Sequence, residues 1–190
     1  TLITAAVTGI QTDMLIAGGC VKKIISPYVA LEELGLAPAF RKAVEKGSLE
    51  LVEIGEAFLA FGLKAASAGA PFYALPLPLA ASDCARLNPL YRRMRDPFTG
   101  KEVVCVPALP ADWTLLHVRR SDAEGNLQHE GTAFMDPLLA RASRHVIATC
   151  DELIDNQTTR ANSARTSVPG ILVDMVIPGY GAAFPTGSFG

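Results

Sequence analysis

Glu56 is the acidic residue whose position most favours chemistry. It follows an apolar run, 49–54, through Gly55 and begins a helical pattern. Residues that follow the carboxyl ends of parallel strands build the sites of open α/β folds. The positive end of a helix dipole favours an ionised carboxylate, which suits a base or a nucleophile. The same dipole also explains Glu56 as a simple helix cap, and Glu53, at the end of the run, is the alternative carboxylate.

Two further groups of polar side chains are candidates for binding. Ser82-Asp83 lies in a proline-broken stretch and is either part of a site or an ordinary turn or helix cap. Arg92, Arg93 and Arg95 are suited to an anionic group such as a phosphate, or they belong to a solvated or subunit-bridging loop. Both interpretations of each group stay open.

The sequence lacks the standard motifs of metal, phosphate and serine-hydrolase sites. His117, His129 and His145 are scattered without ligand spacing, so we predict no metal site. Neither a phosphate-binding glycine loop nor a GxSxG nucleophile turn occurs. We interpret Gly18-Gly19 as a helix C-cap and tight turn, the alternative being a backbone segment near a ligand.

The elements that position these residues are short apolar runs alternating with helical patterns. Continuous apolar runs are typical of strands buried on both faces of a parallel sheet. Predicted strands are 2–7, 21–25, 49–54, 72–75, 103–106, 114–118, 146–150 and 171–177; predicted helices are 39–46, 56–68 and 136–144. Gly47 and Gly69 suit helix ends. The alternation predicts a three-layer α/β fold, and 76–100 and 156–169 are predicted to be long functional or partner-contacting loops.

Composition limits the class of protein. The 190 residues suggest one domain, 49% of them are hydrophobic and 19% charged, and the net charge is −2. This charge argues against a nucleic-acid binder, and no apolar stretch is long enough to span a membrane. The apolar excess favours a buried subunit interface or a sheet covered on both faces. We predict reduced, mostly buried cysteines in a cytoplasmic protein; these are Cys20, Cys84, Cys105 and Cys150.

A series of short motifs runs through nearly the whole chain. The segments are Asp13-Met14-Leu15-Ile16 with Gly19 and Val21-Lys22; Phe40-Arg41 with Glu45 and Gly47; 63–72; 96–100 with 106–109; His117-Val118-Arg119 with Asp122, Gly125 and Asn126; Glu152; and Pro169-Gly170 with Val173-Asp174 and 178–185. Each is weak alone, but the ordered set resembles the alpha subunit of a family I CoA-transferase, closest to the glutaconate CoA-transferase type.

That resemblance implies an α/β fold with an open, mostly parallel sheet flanked by helices, as in CoA-transferases and ribose-phosphate isomerases. It also implies exchange of CoA between an acyl-CoA and a small carboxylic acid, with CoA as substrate and no permanently bound cofactor. The nucleophilic glutamate is expected on a partner beta subunit. Neither nucleic acid nor membrane is an expected partner.

The resemblance also implies where the site lies. We predict that residues 28–33, Glu56 and Ser82-Asp83 form it at the carboxyl ends of strands. Glu56 is the catalytic candidate, while Glu32, Ser82 and Asp83 are expected to bind substrate or CoA. The sequence departs from the family pattern at Ala81, where a glycine is usual before Ser82-Asp83.

The sequence also differs from the family at its start, and two alternative functions stay open. We predict one alpha-type domain over 1–190 without the family's N-terminal helix and glycine-rich loop, so the sequence is either a fragment or lacks its true N-terminus. One alternative resembles a CoA-ester ring-cleaving hydrolase, in which an alpha-subunit glutamate, here Glu56, replaces the lost nucleophile of the partner. The other is a non-catalytic ligand-binding domain of related fold.

Overall fold

The computed structural model of the chain describes residues 1–5, 8–31, 34–80 and 82–181. The chain divides into two compact units. The first comprises Thr1–Ala65 and Ala70–Leu109, and the second comprises Ala66–Gly69 and Pro110–Gly190. None of the helices in the described ranges has both the length and the apolar character that crossing a bilayer requires.

A parallel sheet of β1 (Leu2–Ile3), β2 (Lys23–Ser26) and β3 (Glu50–Glu53), in that order, lies in the first unit. The helices that follow these strands are α1 (Ile10–Ala17), α2 (Pro38–Glu45) and α3 (Glu56–Ser67). Strand and helix alternate because a parallel strand needs a crossover before its neighbour. The buried core beside this sheet consists of Ile16, Ile24, Val29, Ala37 and Leu49.

The helix boundaries of this unit follow local signals. Pro38 is the first residue of α2, and the buried carboxylate of Asp13 accepts the backbone N–H of Phe40 at 2.7 Å and of Ala39 at 3.3 Å. Gly47 and Gly69 follow α2 and α3 with φ of 68° and 66°, which glycine adopts without Cβ strain. The helices predicted over 39–46 and 56–68 are therefore confirmed to within one residue. The helix predicted over 136–144, in the second unit, ends two residues early at Ala142. The predicted C-cap at Gly18-Gly19 is also confirmed.

An antiparallel sheet follows, with β4 (Phe72–Pro76), β5 (Arg92–Arg95) and β6 (Glu102–Pro107) in the order β4-β6-β5. The prediction of a loop over 76–100 is wrong, because this stretch holds a 3₁₀ turn, the helix α4 (Asp83–Leu87) and β5. All four residues of β5 are exposed and form no apolar pattern. Pairing with β6 therefore makes the strand, and a sequence window does not show such pairing.

The second unit contains a mixed sheet in the order β10-β8-β7-β9-β11. Its elements are β7 (Ala111–Asp122), β8 (Leu127–Gln128), α5 (Asp136–Ala142), β9 (Ser143–Ile154), α6 (Asn156–Ala161), β10 (Thr166–Val168) and β11 (Met175–Pro178). Strands β7, β9 and β11 are parallel, whereas β8 and β10 are antiparallel to their neighbours. The core of this unit consists of Leu116, Val118, Leu127, Ala140, Val146, Ala148, Cys150 and Val168.

Two predictions for this unit are wrong in part. The stretch 156–169, predicted as a loop, holds α6, a 3₁₀ turn and β10. Helix α6 is polar except for Ala161 and depends on its cap, where the carboxylate of Asp155 accepts the N–H of Thr158 at 2.8 Å. The strand predicted over 171–177 begins only at Met175, because Gly170–Leu172 forms a 3₁₀ turn.

The α/β fold class is confirmed, with one parallel, one antiparallel and one mixed sheet in place of a single mostly parallel sheet. Alternate residues of β7 face away from the core, and Trp113 and Leu115 are 57% and 74% exposed there. Ile147 of β9 pairs with Leu115 on one side and with Met175 of β11 on the other, and Met175 is 52% exposed. A parallel sheet is normally covered on both faces, so this apolar face is unusual.

The four cysteines are free thiols, but only two of them are buried. Cys105 and Cys150 lie in the cores, and burial raises the pKa of both thiols. Cys84 is half-buried, and Cys20 is exposed after α1. The prediction of mostly buried cysteines is therefore correct only for Cys105 and Cys150.

Candidate functional site

Glu56 lies where the sequence places it, at the carboxyl end of a parallel strand. β3 ends at Glu53, the buried side chain of Ile54 anchors the chain, and Glu56 is the first residue of α3. The side chain of Glu56 is exposed. A carboxylate at this position is free to reach a ligand outside the sheet and is favoured in its ionised form by the helix.

The turn that carries Glu56 is held by a segment that sequence reasoning missed. The backbone N–H of Gly55 donates to the hydroxyl of Tyr91 at 2.9 Å, and the amide of Asn88 donates to the carbonyl of Glu53 at 2.7 Å. The ring of Tyr91 also packs on Phe58 of α3, with centroids 4.6 Å apart. No spacing in the sequence signals these contacts, because they join residues about 35 positions apart.

Tyr91 is a neutral phenol that accepts a hydrogen bond from the turn after β3. Burial raises the pKa of its phenol, and the hydrogen bond from Gly55 only partly offsets this. The phenol therefore stays protonated at neutral pH, and its oxygen accepts while its own hydrogen remains available to donate.

Ser82 and Asp83 begin the short helix α4. Ser82 occupies the N-cap position, but its side chain makes no capping hydrogen bond. Asp83 forms an exposed ion pair with Arg86, three residues later, at 3.0 Å. Ser82 therefore lies at a helix cap, as one interpretation predicted, but its hydroxyl does not cap the helix. An exposed ion pair of this kind contributes little to stability.

A cavity of about 480 Å³ in the first unit brings part of the predicted set together. Its acidic and basic lining comes from Lys23, Glu50, Glu53 and Asp83, and Lys23 pairs with Glu50 at 2.7 Å. The apolar lining consists of Leu51, Val52, Leu87, Pro89 and Leu90. The volume suits a small ligand. Glu53 and Asp83 therefore share one cavity, while Glu56 and Ser82 are not among its lining residues.

The segment that follows β2 lies at the same end of the parallel sheet. Ser26 at the end of β2 pairs with Glu53 at the end of β3, so Tyr28 and Glu56 follow neighbouring strand ends. The N–H of Tyr28 donates to the hydroxyl of Ser26 at 3.2 Å, and the Tyr28 side chain is 49% exposed. The predicted binding residue Glu32, like Glu33, lies outside the described residues.

The three arginines lie on an edge strand, not on a loop. Arg92, Arg93 and Arg95 are exposed on β5. Arg93 lies 3.5 Å from Glu102, and Arg95 donates to the carbonyl of Gly100 at 3.4 Å. In the described ranges, no three His, Cys, Asp or Glu side chains come together in an arrangement that would hold a metal ion.

In the second unit, the predicted motif residues Asp122, Gly125 and Asn126 form a turn in which Asp122 and Gly125 are buried. One carboxylate oxygen of Asp122 accepts the N–H of Glu124 at 3.1 Å and of Asn126 at 2.9 Å. The other accepts the side-chain amides of Asn126 at 2.9 Å and Asn156 at 3.0 Å. Burial raises the pKa of Asp122, but hydrogen bonds from Asn126, Thr159 and Asn156 outweigh burial and hold it below its ordinary value. The motif is therefore structural.

Asp122→Asn is expected to lower the free energy of unfolding by about 2–3 kcal/mol at pH 7. The NH₂ group of asparagine would face the N–H groups that now donate to the carboxylate, and two donors do not form a hydrogen bond. Because the pKa of Asp122 is lowered in the folded protein, its ionised carboxylate stabilises the fold at pH values above its pKa in the unfolded chain. This stabilisation is lost as the pH falls through its pKa in the folded protein. The difference between wild type and variant should thus shrink between about pH 5 and pH 2. Urea unfolding followed by the fluorescence of Trp113, the single tryptophan, measures it. A difference that does not depend on pH would contradict this account.

Comparisons with known proteins agree with the ordered motifs. A family model described as Coenzyme A transferase matches residues 1–179. One subunit of the 3-oxoadipate CoA-transferase of Pseudomonas knackmussii is 32% identical over 154 residues, which is 80% of this chain. Two solved structures are similar to this chain. A variant of the AibA/AibB decarboxylase is 33% identical, with a TM-score of 0.86 over 100% of this chain. The glutaconate CoA-transferase of Acidaminococcus fermentans is 27% identical, with a TM-score of 0.83 over 94% of this chain.

The chain is shorter than the proteins it matches. It spans 54% of the length of the Pseudomonas subunit. It spans 70% of the decarboxylase chain and 62% of the glutaconate CoA-transferase chain.

Proposed function

Since this chain belongs to the coenzyme A transferase family, we propose that it is the alpha-type subunit of an enzyme that moves CoA from an acyl-CoA to a small carboxylic acid. The observation that carries the proposal is the match of the family model over residues 1–179, which includes the strand ends, Glu56 and Ser82-Asp83. The proposal treats residues 1–190 as one alpha-type domain.

The proposed chemistry splits CoA transfer into steps on a glutamate of a partner beta subunit. The carboxylate attacks the thioester carbon, the C–S bond breaks, and an acyl-glutamyl anhydride and CoA thiolate form. The thiolate then attacks the glutamyl carbonyl of the anhydride, which releases the first acid and leaves a glutamyl-CoA thioester. The second acid repeats these steps in reverse and leaves as its CoA ester. Covalent catalysis of this kind replaces one difficult step by easier ones.

The role of this chain would be to hold the substrates and polarise the reacting groups. Glu56 would orient or polarise at the end of β3, while Glu32, Ser82 and Asp83 would contact the acid or CoA. The Tyr91 hydroxyl supports this assignment, because it fixes the Gly55-Glu56 turn at 2.9 Å. Arg92, Arg93 and Arg95 are exposed cations that would suit the phosphates of CoA.

The proposal also covers partners and compartment. CoA and the acids would be substrates, with no permanently bound cofactor, and the beta subunit would be the protein partner, without nucleic acid or membrane. We place the enzyme in the cytoplasm. The free thiols of the four cysteines support a reducing compartment.

Glu56→Gln in the assembled enzyme tests the assignment of Glu56. If the partner carries the usual glutamate, kcat/KM should fall roughly 10- to 100-fold, because a hydrogen bond to a charged group contributes about 1.5–3 kcal/mol. If the partner lacks it, Glu56 would act as nucleophile or base, as in the hydrolase alternative, and turnover should nearly disappear. Steady-state kinetics and mass spectrometry of a covalent CoA adduct distinguish the two cases.

Glu45→Gln is a matched control on α2. Glu45 is an exposed helical glutamate paired with Arg41 at 2.8 Å, so its loss should leave kcat/KM unchanged. Unchanged kcat/KM in Glu56→Gln would instead return Glu56 to a helix-capping role. An assembled enzyme that binds an acyl-CoA without any turnover would favour the non-catalytic ligand-binding alternative.

A further inference from the structure

Three side chains of the second unit form a hydrogen-bonded chain that the proposed CoA transfer does not use. The ring nitrogen Nδ1 of His129 lies 2.5 Å from the hydroxyl of Ser167, and Nε2 lies 2.8 Å from Oδ2 of Asp136. Ser167 belongs to β10, His129 follows β8, and Asp136 is the first residue of α5. We call these residues the Ser167–His129–Asp136 cluster.

The pattern of hydrogen bonds determines which nitrogen of the ring carries the proton. An ionised carboxylate only accepts, so Asp136 holds the hydrogen on Nε2. Nδ1 of the neutral ring is then an acceptor and takes the hydroxyl hydrogen of Ser167. The carbonyl of Leu127 is a competing acceptor for that hydrogen, but it lies 3.4 Å from the hydroxyl, against 2.5 Å for Nδ1. A serine hydroxyl bound to a base that a carboxylate orients is an activated nucleophile.

The proposed nucleophile, Ser167, and its base, His129, both line a cavity. The cavity measures about 580 Å³, and Ser167 and His129 line it, while Asp136 does not. The side chain of His129 is only 11% exposed and that of Asp136 26% exposed. Asp136 contacts Nε2, whereas Ser167 contacts Nδ1, and Asp136 is not among the lining residues of the cavity, so it is placed to orient the base.

The wall of the cavity also contains one cation, Arg165, and one carboxylate, Glu130. Arg165 lines the cavity and lies 3.8 Å from Glu130, a carboxylate that holds Arg120 more closely at 2.8 Å. Arg165 is thus weakly engaged by Glu130 and available to an anionic group of a ligand.

We propose that the Ser167–His129–Asp136 cluster is a second nucleophilic site, which hydrolyses small acyl esters or thioesters that carry a negative charge. Ser167 Oγ bonds to the acyl carbon as its proton moves to Nδ1 of His129. The bond to the alcohol or thiol breaks, and His129 returns the proton to this leaving group. Water then bonds to the acyl carbon as its proton moves to Nδ1 of His129, the bond from this carbon to Ser167 Oγ breaks, and His129 returns the proton to Oγ as the acid leaves. Asp136 stays ionised throughout and stabilises the charged ring.

The proposal is independent of CoA transfer, so its test reads covalent labelling rather than that activity. The full chain, assembled with its partner subunit, is treated with a fluorophosphonate probe and digested, and the modified residue is identified by mass spectrometry. The expected result is one adduct on Ser167. His129→Gln should slow labelling roughly 10²-fold or more, as removal of a general base does, and Asp136→Asn should slow it less. An acidic ester should compete with the probe and slow labelling of the wild-type protein. It should slow labelling of Arg165→Gln less, because this variant lacks the cation that would bind the acidic group.

Ser163→Ala is the matched control, because Ser163 is an exposed serine of the same segment and outside the cluster. Its labelling pattern should equal that of wild type. Absence of an adduct on Ser167 in the wild-type protein would overturn the proposal without reliance on any variant. Equal labelling rates in wild type and a folded His129→Gln would also overturn it and leave the cluster as a structural link between β10 and α5.

Discussion

Addition of a beta-type partner subunit is expected to raise CoA transfer by this chain by on the order of 10⁴-fold or more, the scale of effect seen when a nucleophile is supplied or removed. The physical reason is that the chain carries the ordered alpha-type motifs, and in the proposed mechanism the attacking glutamate lies on the partner. The apolar face with Trp113 57% and Leu115 74% exposed is consistent with a chain that acts in a larger assembly. Exchange of an isotope-labelled acid into its CoA ester, with and without partner, measures the effect.

A partner whose nucleophilic glutamate is replaced by glutamine is the control. It should still associate with the chain in size-exclusion chromatography with light scattering, yet it should not restore transfer. This separates assembly from chemistry. A chain that transfers CoA at the full rate as a monomer would contradict the proposed division of labour between the subunits.

Gly170→Ala is expected to lower the free energy of unfolding by about 2–4 kcal/mol, the cost of forcing an atom into a packed region. A Cβ at Gly170 would lie 2.0 Å from the carbonyl oxygen of Glu124 and 3.0 Å from its carbonyl carbon. Both atoms belong to the backbone of Glu124, in the turn that Asp122 organises, so a side-chain rotation cannot move them away. The shift would also strain the hydrogen bond from the N–H of Gly170 to Asn126, which measures 3.0 Å. Urea unfolding followed by Trp113 fluorescence measures the loss.

Ile171→Ala is the matched control in the same 3₁₀ turn. Ile171 is 93% exposed, so its truncation should change the free energy of unfolding by no more than about 0.5 kcal/mol. Equal stability of Gly170→Ala and wild type would show that the turn opens without cost. It would also mean that the Pro169-Gly170 motif has another origin than the close approach to Glu124.

The helices of the first unit could be predicted from local chemistry. Pro38 restricts the start of α2, and the glycines at 47 and 69 allow the left-handed backbone after α2 and α3. These effects act within a few residues, so a short window of sequence contains them. The location of Glu56 was predictable for the same reason, because the apolar run and the following helical pattern define the strand end before it.

Other elements depend on partners that are distant in the sequence. Strand β5 has four exposed residues and exists through its ladder with β6. Helix α4 has five residues, too few to be marked by helical periodicity, and α6 has no apolar stripe. These segments were predicted as loops, because neither propensity nor pattern distinguishes a short polar element from a loop.

The sequence by itself determined the α/β class, the ordered family motifs and the position of Glu56 at a strand end, since each depends on residue types and spacings along the chain. Only the tertiary structure decided that Tyr91 holds the Gly55 turn and that Asp13 and Asp122 satisfy backbone donors. It alone joined Ser167 to His129, which lie 38 residues apart. Hydrogen bonds reach about 3 Å, and only the folded backbone brings such distant residues within that range.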